Sequence, residues 1–147
     1  MIKRETLIIP ENIYQEMLAH AESLAPIESC GYLGGTEETI TSFYPMTNVD
    51  QSPEHFSFDP KEQFSVVKSS RSKGEKLLAV YHSHPASPAR LSAEDLRLFN
   101  DPNPVYLIFS LQQKEAHLAG FRVEKPDEEN IIIKEVLIER TSNEEAK

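Results

Sequence analysis

At 147 residues, 39% hydrophobic and 27% charged, the chain has the size and make-up of one globular domain built around a single core. A formal net charge of −9 argues against a nucleic-acid backbone or an anionic membrane surface as the main partner, and no apolar run approaches the length of a membrane span. The start, MIKRETLIIPENIYQ, lacks the apolar stretch of a secretory leader, so the expected location is cytoplasmic, and the single cysteine, Cys30, has no partner for a disulfide or a Cys-x-x-Cys knuckle and reads as a small buried residue.

Along the chain, strand and helix signals alternate, which gives an α/β domain spanning 1–147 without repeat or linker. Residues 7–9 are a short apolar run. Pro10 then opens an amphipathic helix with Ile13, Met17, Ala21 and Leu24 at near-helical spacing, ended by Pro26. IESCGYLGG and TITSFYPMTN read as two strands with a turn near Gly34 and Gly35. Residues 48–60 are loop-like. A second helix starts at Pro60 and closes on Gly74, with Phe64 and Val67 expected inward. Residues 77–81 are a continuous apolar run, as in a strand buried on both faces. A short helix over 92–99 and three strands, VYLIFSL, AHLAGFRV and IIIKEVLIE, complete the pattern, and the tail 141–147 is expected to be flexible.

The chemistry concentrates in YHSHPASPARLSAED. The apolar run at 77–81 delivers His82 and His84 to the end of a central strand, where ligands tend to bind in open α/β sheets. Side chains two apart in a strand share a face, so both imidazoles aim at one point, and Pro85 ends the strand there. Two such imidazoles suit zinc, which in catalytic sites takes three protein ligands and keeps a fourth position open. Asp95 is the nearest carboxylate that the proline-rich loop could return to the histidines. Ser92-x-x-Asp95 equally fits a helix capping box, which needs no metal.

The joint spacing carries more than either motif. His82-Ser83-His84-Pro85, followed after Leu91 by Ser92-x-x-Asp95, resembles the zinc signature of the JAMM/MPN+ metalloprotease family. Upstream, Glu28-Ser29-Cys30-Gly31-Tyr32-Leu33-Gly34-Gly35 is similar to that family's Glu-x-Cys-Gly-x-Leu-x-Gly. The resemblance implies an MPN fold, a curved mixed sheet flanked by helices and related to the cytidine deaminase architecture. It implies one zinc per chain held by His82, His84 and Asp95, with Glu28 as general base, Ser92 as a donor to the oxyanion and Cys30 as a packing residue.

Rival zinc chemistries fail on the sequence: a nucleoside deaminase needs Pro-Cys-x-x-Cys, and a zincin needs His-Glu-x-x-His on a helix. A non-catalytic MPN scaffold remains an alternative, though such domains typically lack some of the ligands found here, and so does a cell-wall or phage-type peptidase. The family resemblance implies cleavage after the Gly-Gly tail of a ubiquitin-like or sulfur-carrier protein. The short chain resembles the small prokaryotic members that process sulfur carriers. Self-association is left open.

Overall fold

The computed structural model describes residues 5–142. In chain order the elements are β1 (Thr6–Pro10), α1 (Glu11–Leu24), β2 (Cys30–Thr36), β3 (Thr39–Met46), α2 (Pro60–Ser72), β4 (Lys76–His84), α3 (Ala93–Leu98), β5 (Val105–Ser110), β6 (His117–Glu124) and β7 (Ile132–Thr141). The expected order of strands and helices holds. Thr141, expected in a flexible tail, pairs with Pro10 as the last residue of β7, and 143–147 lie outside the described residues.

The expected curved mixed sheet goes further and closes. The strands form one barrel in the order β1-β3-β2-β4-β5-β6-β7, with β1 parallel to both β3 and β7, β4 parallel to β5, and the other pairs antiparallel. β4 and β5 lie across the ring from β1, and every residue of β5 is buried. Alternation divides their side chains between two cores. Ala79, Tyr81, Val105, Leu107 and Phe109 pack with Ile13, Tyr14 and Met17 of α1, while Val80 and Tyr106 face the opposite way, toward Phe99, Phe56 and Phe58. His82 and His84, on the Val80 face, are therefore aimed away from α1. Among the described residues no helix is long and apolar enough to cross a membrane.

Three local expectations change. Leu24, the last residue of α1, is 37% exposed, and the helix buries Ile13, Tyr14, Met17 and Ala21 instead. In α2, Phe64 is 72% exposed and Val67 is also exposed, while Val66 and Ser70 face inward. With so few apolar residues the helix has no defined stripe, and the fit of Val66 against Cys30 and Met46 decides the face instead. Its ends are as read: Asp59 caps Lys61 N, Pro60 opens the helix, and Gly74 follows it at φ +73. The β2–β3 turn falls at Glu37 and Glu38, not at the glycines, which sit inside β2. A Cβ on Gly35 would lie 2.0 Å from Thr39 O and one on Gly31 2.5 Å from Tyr44 O, so these positions serve close approach of β3.

Leu107→Ala, which empties the centre of the larger core, should cost about 2–5 kcal/mol in urea unfolding, whereas Phe64→Ser should stay within about 0.5 kcal/mol of the parent. Comparable losses would put α2's apolar face where the sequence placed it.

Candidate metal centre

Strand register brings the two sequence blocks together. Cys30 pairs with His82 in the antiparallel β2–β4 ladder, and Ser83 N donates to Ser29 O beyond it at 3.0 Å. Glu28, one residue further out and beyond the strand, is thereby brought to the end of β4, where its carboxylate comes within 4.8 Å of the imidazole nitrogens. The third block returns through the loop after Pro85, held to the end of β5 by Leu111 N donating to His84 O at 3.1 Å and Ser110 Oγ to Ser87 O at 2.6 Å. That loop leads into α3, whose first turn carries Asp95.

The side chains converge. His82 is fully buried, and His84, Asp95 and Glu28 are no more than 3% exposed. The Nε2 atoms of His82 and His84 are 3.0 Å apart, with Asp95 Oδ1 3.2 Å from the first and Oδ2 3.1 Å from the second. Tetrahedral zinc with bonds of about 2.0–2.1 Å would space its donor atoms by about 3.3 Å, so this donor set fits such an ion with little movement. Glu28, His82 and His84 also offer ligand atoms within 4.8 Å of one another. Asp95 stands closer to both imidazoles, and Glu28 Oε1 has no hydrogen-bond partner.

Two features orient the donors. His84 Nδ1 lies 2.8 Å from Pro88 O, and a proton placed there for that bond leaves the Nε2 lone pair facing inward. The capping box is complete, Ser92 Oγ accepting from Asp95 N at 3.0 Å and Ser92 N donating to Asp95 Oδ2 at 3.0 Å. The bland and the metal readings of Ser92-x-x-Asp95 thus coexist: the cap that starts α3 also aims the carboxylate. Ser92 Oγ accepts in this bond and keeps a proton to donate.

Electrostatics separates the two carboxylates. Burial pushes Glu28 up to about 8, a rise that the nearby His84 partly counters and Asp95 and Glu54 reinforce. Burial works against charge on Asp95 too, but hydrogen bonds from His82 and His84 hold its carboxyl well below the usual carboxylate range. Burial lowers His82, so its imidazole favours the neutral form that ligates metals. Cys30, fully buried, is pushed up to about 12 by burial, which suits packing and not nucleophilic chemistry.

The structure thus gathers His82, His84, Asp95 and Glu28 and leaves Ser92 at the rim on α3. It adds residues with no motif of their own. Phe56 stacks on His82 with centroids 5.0 Å apart and Phe99 meets the same ring edge-on at 5.5 Å. Beyond them Tyr32, Phe58, Val80, Leu98 and Tyr106 help line an aromatic cavity of about 310 Å³. Phe99, four residues after Asp95, was legible as the next position on that helix face; Phe56 and the Pro88 carbonyl gave no signal.

Comparison with known proteins identifies the family. The family model described as prokaryotic homologs of the JAB domain matches residues 10–123. The CysO-cysteine peptidase of Mycobacterium tuberculosis is 32% identical over 120 residues, 80% of this chain and 82% of its own. The probable TtuB-protein conjugate cleaving protease of Thermus thermophilus is 34% identical over 113 residues, 76% of this chain and 75% of its own. The solution structure of a Desulfitobacterium hafniense protein, 38% identical, superposes with a TM-score of 0.80 over 97% of this chain and 99% of that one.

The cap gives a direct test. Ser92→Ala should destabilise the metal-free protein by about 1 kcal/mol, and Ser92→Gly by only a few tenths, as measured by urea unfolding. No loss in the alanine variant would show that the cap does not hold α3.

Proposed function

Because the chain belongs to the family of prokaryotic homologues of the JAB domain, we propose that it is a zinc-dependent peptidase that hydrolyses the amide or isopeptide bond after the C-terminal glycine of a ubiquitin-like or sulfur-carrier protein. The observation that supports this most is the buried convergence of two imidazoles and Asp95 beside an unpartnered Glu28 oxygen. Burying this many polar and ionisable groups together is costly unless a ligand offsets it, and a scaffold domain has no use for that cost.

In this reading His82 and His84, through Nε2, and Asp95, through its carboxylate, are the ligands. Zinc bound there supplies a Lewis acid and lowers the pKa of a water molecule. Glu28 takes the proton from the attacking water and returns it to the leaving amine. The Ser92 hydroxyl donates to the oxygen that becomes negative as the carbonyl is attacked. The paired glycines of a carrier tail offer no side chain to grip, so backbone bonds must hold them, while the aromatic cavity beyond Phe56 and Phe99 offers apolar surface to the carrier's body.

The relatives' names support this substrate class and differ in the leaving group: one is named for a carrier joined to cysteine, the other for a carrier joined to protein. A cytoplasmic setting goes with such a substrate.

Purified protein should bind about one zinc per chain, and the His82→Ala/His84→Ala double variant none, by equilibrium dialysis with metal analysis. Unchanged stoichiometry in the double variant would place the ligands elsewhere. Glu28→Gln should keep its zinc while kcat falls by about 10² to 10⁴, with release of an amino acid from a Gly-Gly-ending carrier followed by mass spectrometry. Parent-like turnover would remove Glu28 from the chemistry.

A further inference from the structure

We propose that Asn48 is a positioning residue for Glu28: its buried side chain clamps the 47–59 segment across the start of β2 and thereby sets where the Glu28 carboxylate stands relative to His82 and His84. The inference rests on Glu28 being the base of the proposed hydrolysis and goes beyond it by naming what holds that base.

Glu28 needs such a clamp because the sheet does not reach it. β2 begins at Cys30, whose β3 partner is Met46, and the bonds to β4 continue outward only as far as Ser83 N donating to Ser29 O. Its side chain gives no anchor either, since Oε1 has no partner. The location of the carboxylate is therefore inherited from the Glu28 backbone, and one segment holds both polar groups of that backbone. Glu28 N donates to Ser52 O at 2.9 Å, and Asn48 Nδ2 donates to Glu28 O at 2.9 Å.

Asn48 is the hub of that segment. It is 4% exposed, and its amide is fully used, on Glu28 and on its own segment. Nδ2 also donates to His55 O at 3.0 Å, and Oδ1 accepts from Asp50 N at 3.1 Å and Ser57 N at 3.3 Å. Val49 N donates to Ser57 O at 3.1 Å, and Asp50 Oδ2 accepts from Ser57 Oγ at 2.6 Å and lies 3.0 Å from His55 Nδ1. The strap so braced carries Phe56, which stacks on His82. One asparagine thus ties the base and the cover of a proposed ligand into a single rigid piece.

Asn48→Asp separates this role from simple loop folding. It keeps an oxygen for Asp50 N and Ser57 N but replaces the donor facing Glu28 O and His55 O with an acceptor. In the zinc-loaded full chain we expect kcat to fall on the order of 10- to 100-fold, as for a slightly misplaced catalytic group, with KM within about twofold and zinc stoichiometry unchanged. Hydrogen exchange at the Glu28 amide, followed by NMR, should accelerate about tenfold or more while β4 and β5 amides keep their protection. A folded Asn48→Asp variant with parental kcat would overturn the proposal. So would a parent protein whose Glu28 amide exchanges as fast as exposed loop amides, a measurement that stands even if the variant does not fold. If the parent cleaves no Gly-Gly carrier adduct, the hydrolase reading falls instead, and Glu28 exchange alone decides whether Asn48 clamps it.

Discussion

The antiparallel register between β2 and β4 is the constraint on which the site depends. With Cys30 opposite His82, the chain that enters β2 passes the end of β4, and Glu28 just before it has a ligand atom within 4.8 Å of those of His82 and His84. A slip of one residue would invert the faces of a strand and turn Glu28 away from the imidazoles. The register is well protected, because Leu33 on β2 would be expelled from the α1 core by the same slip. The apolar core and the polar site are thus fixed by one alignment.

The second constraint is economy of polar groups. Asp95 answers to three neighbours, His82, His84 and the Ser92 backbone, and the same carboxylate that caps α3 faces the histidines. Behind its inward nitrogen, His84 is oriented through a proline-loop carbonyl, whereas His82, whose Nδ1 has no hydrogen-bond partner, is backed there by the Phe56 and Phe99 rings. The two imidazoles are therefore fixed by different physics, one by direction and one by packing.

Much of this was legible in the sequence, and the reasons are local. His82, His84 and Pro85 declare themselves because strand alternation is a two-residue rule, and the ends of α2 because Pro60 and Gly74 carry their backbone preferences with them. Glu28 required the family resemblance, since its approach to His84 depends on pairing across half the domain. The inward face of α2 was misread because Phe64 and Val67 outweighed Val66 in hydrophobicity and nothing in the helix reported the Cys30–Met46 surface awaiting it. Gly34 and Gly35 looked like a turn; instead the backbone of β3 comes close at Gly35, and at Gly34 the Glu75 carboxylate and the Tyr44 ring fill the space a side chain would take. Closure of the sheet was illegible because it joins β1 to β7, near opposite ends of the described chain. The 48–60 loop showed its composition and hid its hydrogen bonds.

Closure also bears on how molecules of this chain meet one another. A sheet with free ends offers rows of unsatisfied N–H and C=O groups that a second copy can extend, the first step toward fibrils or exchanged strands. Here the strands form a ring, and its narrowest seam is the junction of β1 with β3, a single pairing of Ile8 with Thr39 reinforced by Ile8 N donating to Glu38 O at 2.8 Å. The opposite edge of β1 is stitched to β7 over five residues. Intermolecular strand addition therefore has its easiest entry at that seam, on the β1 side of the barrel, where opening would sever few backbone bonds and leave the β2–β4 ladder intact.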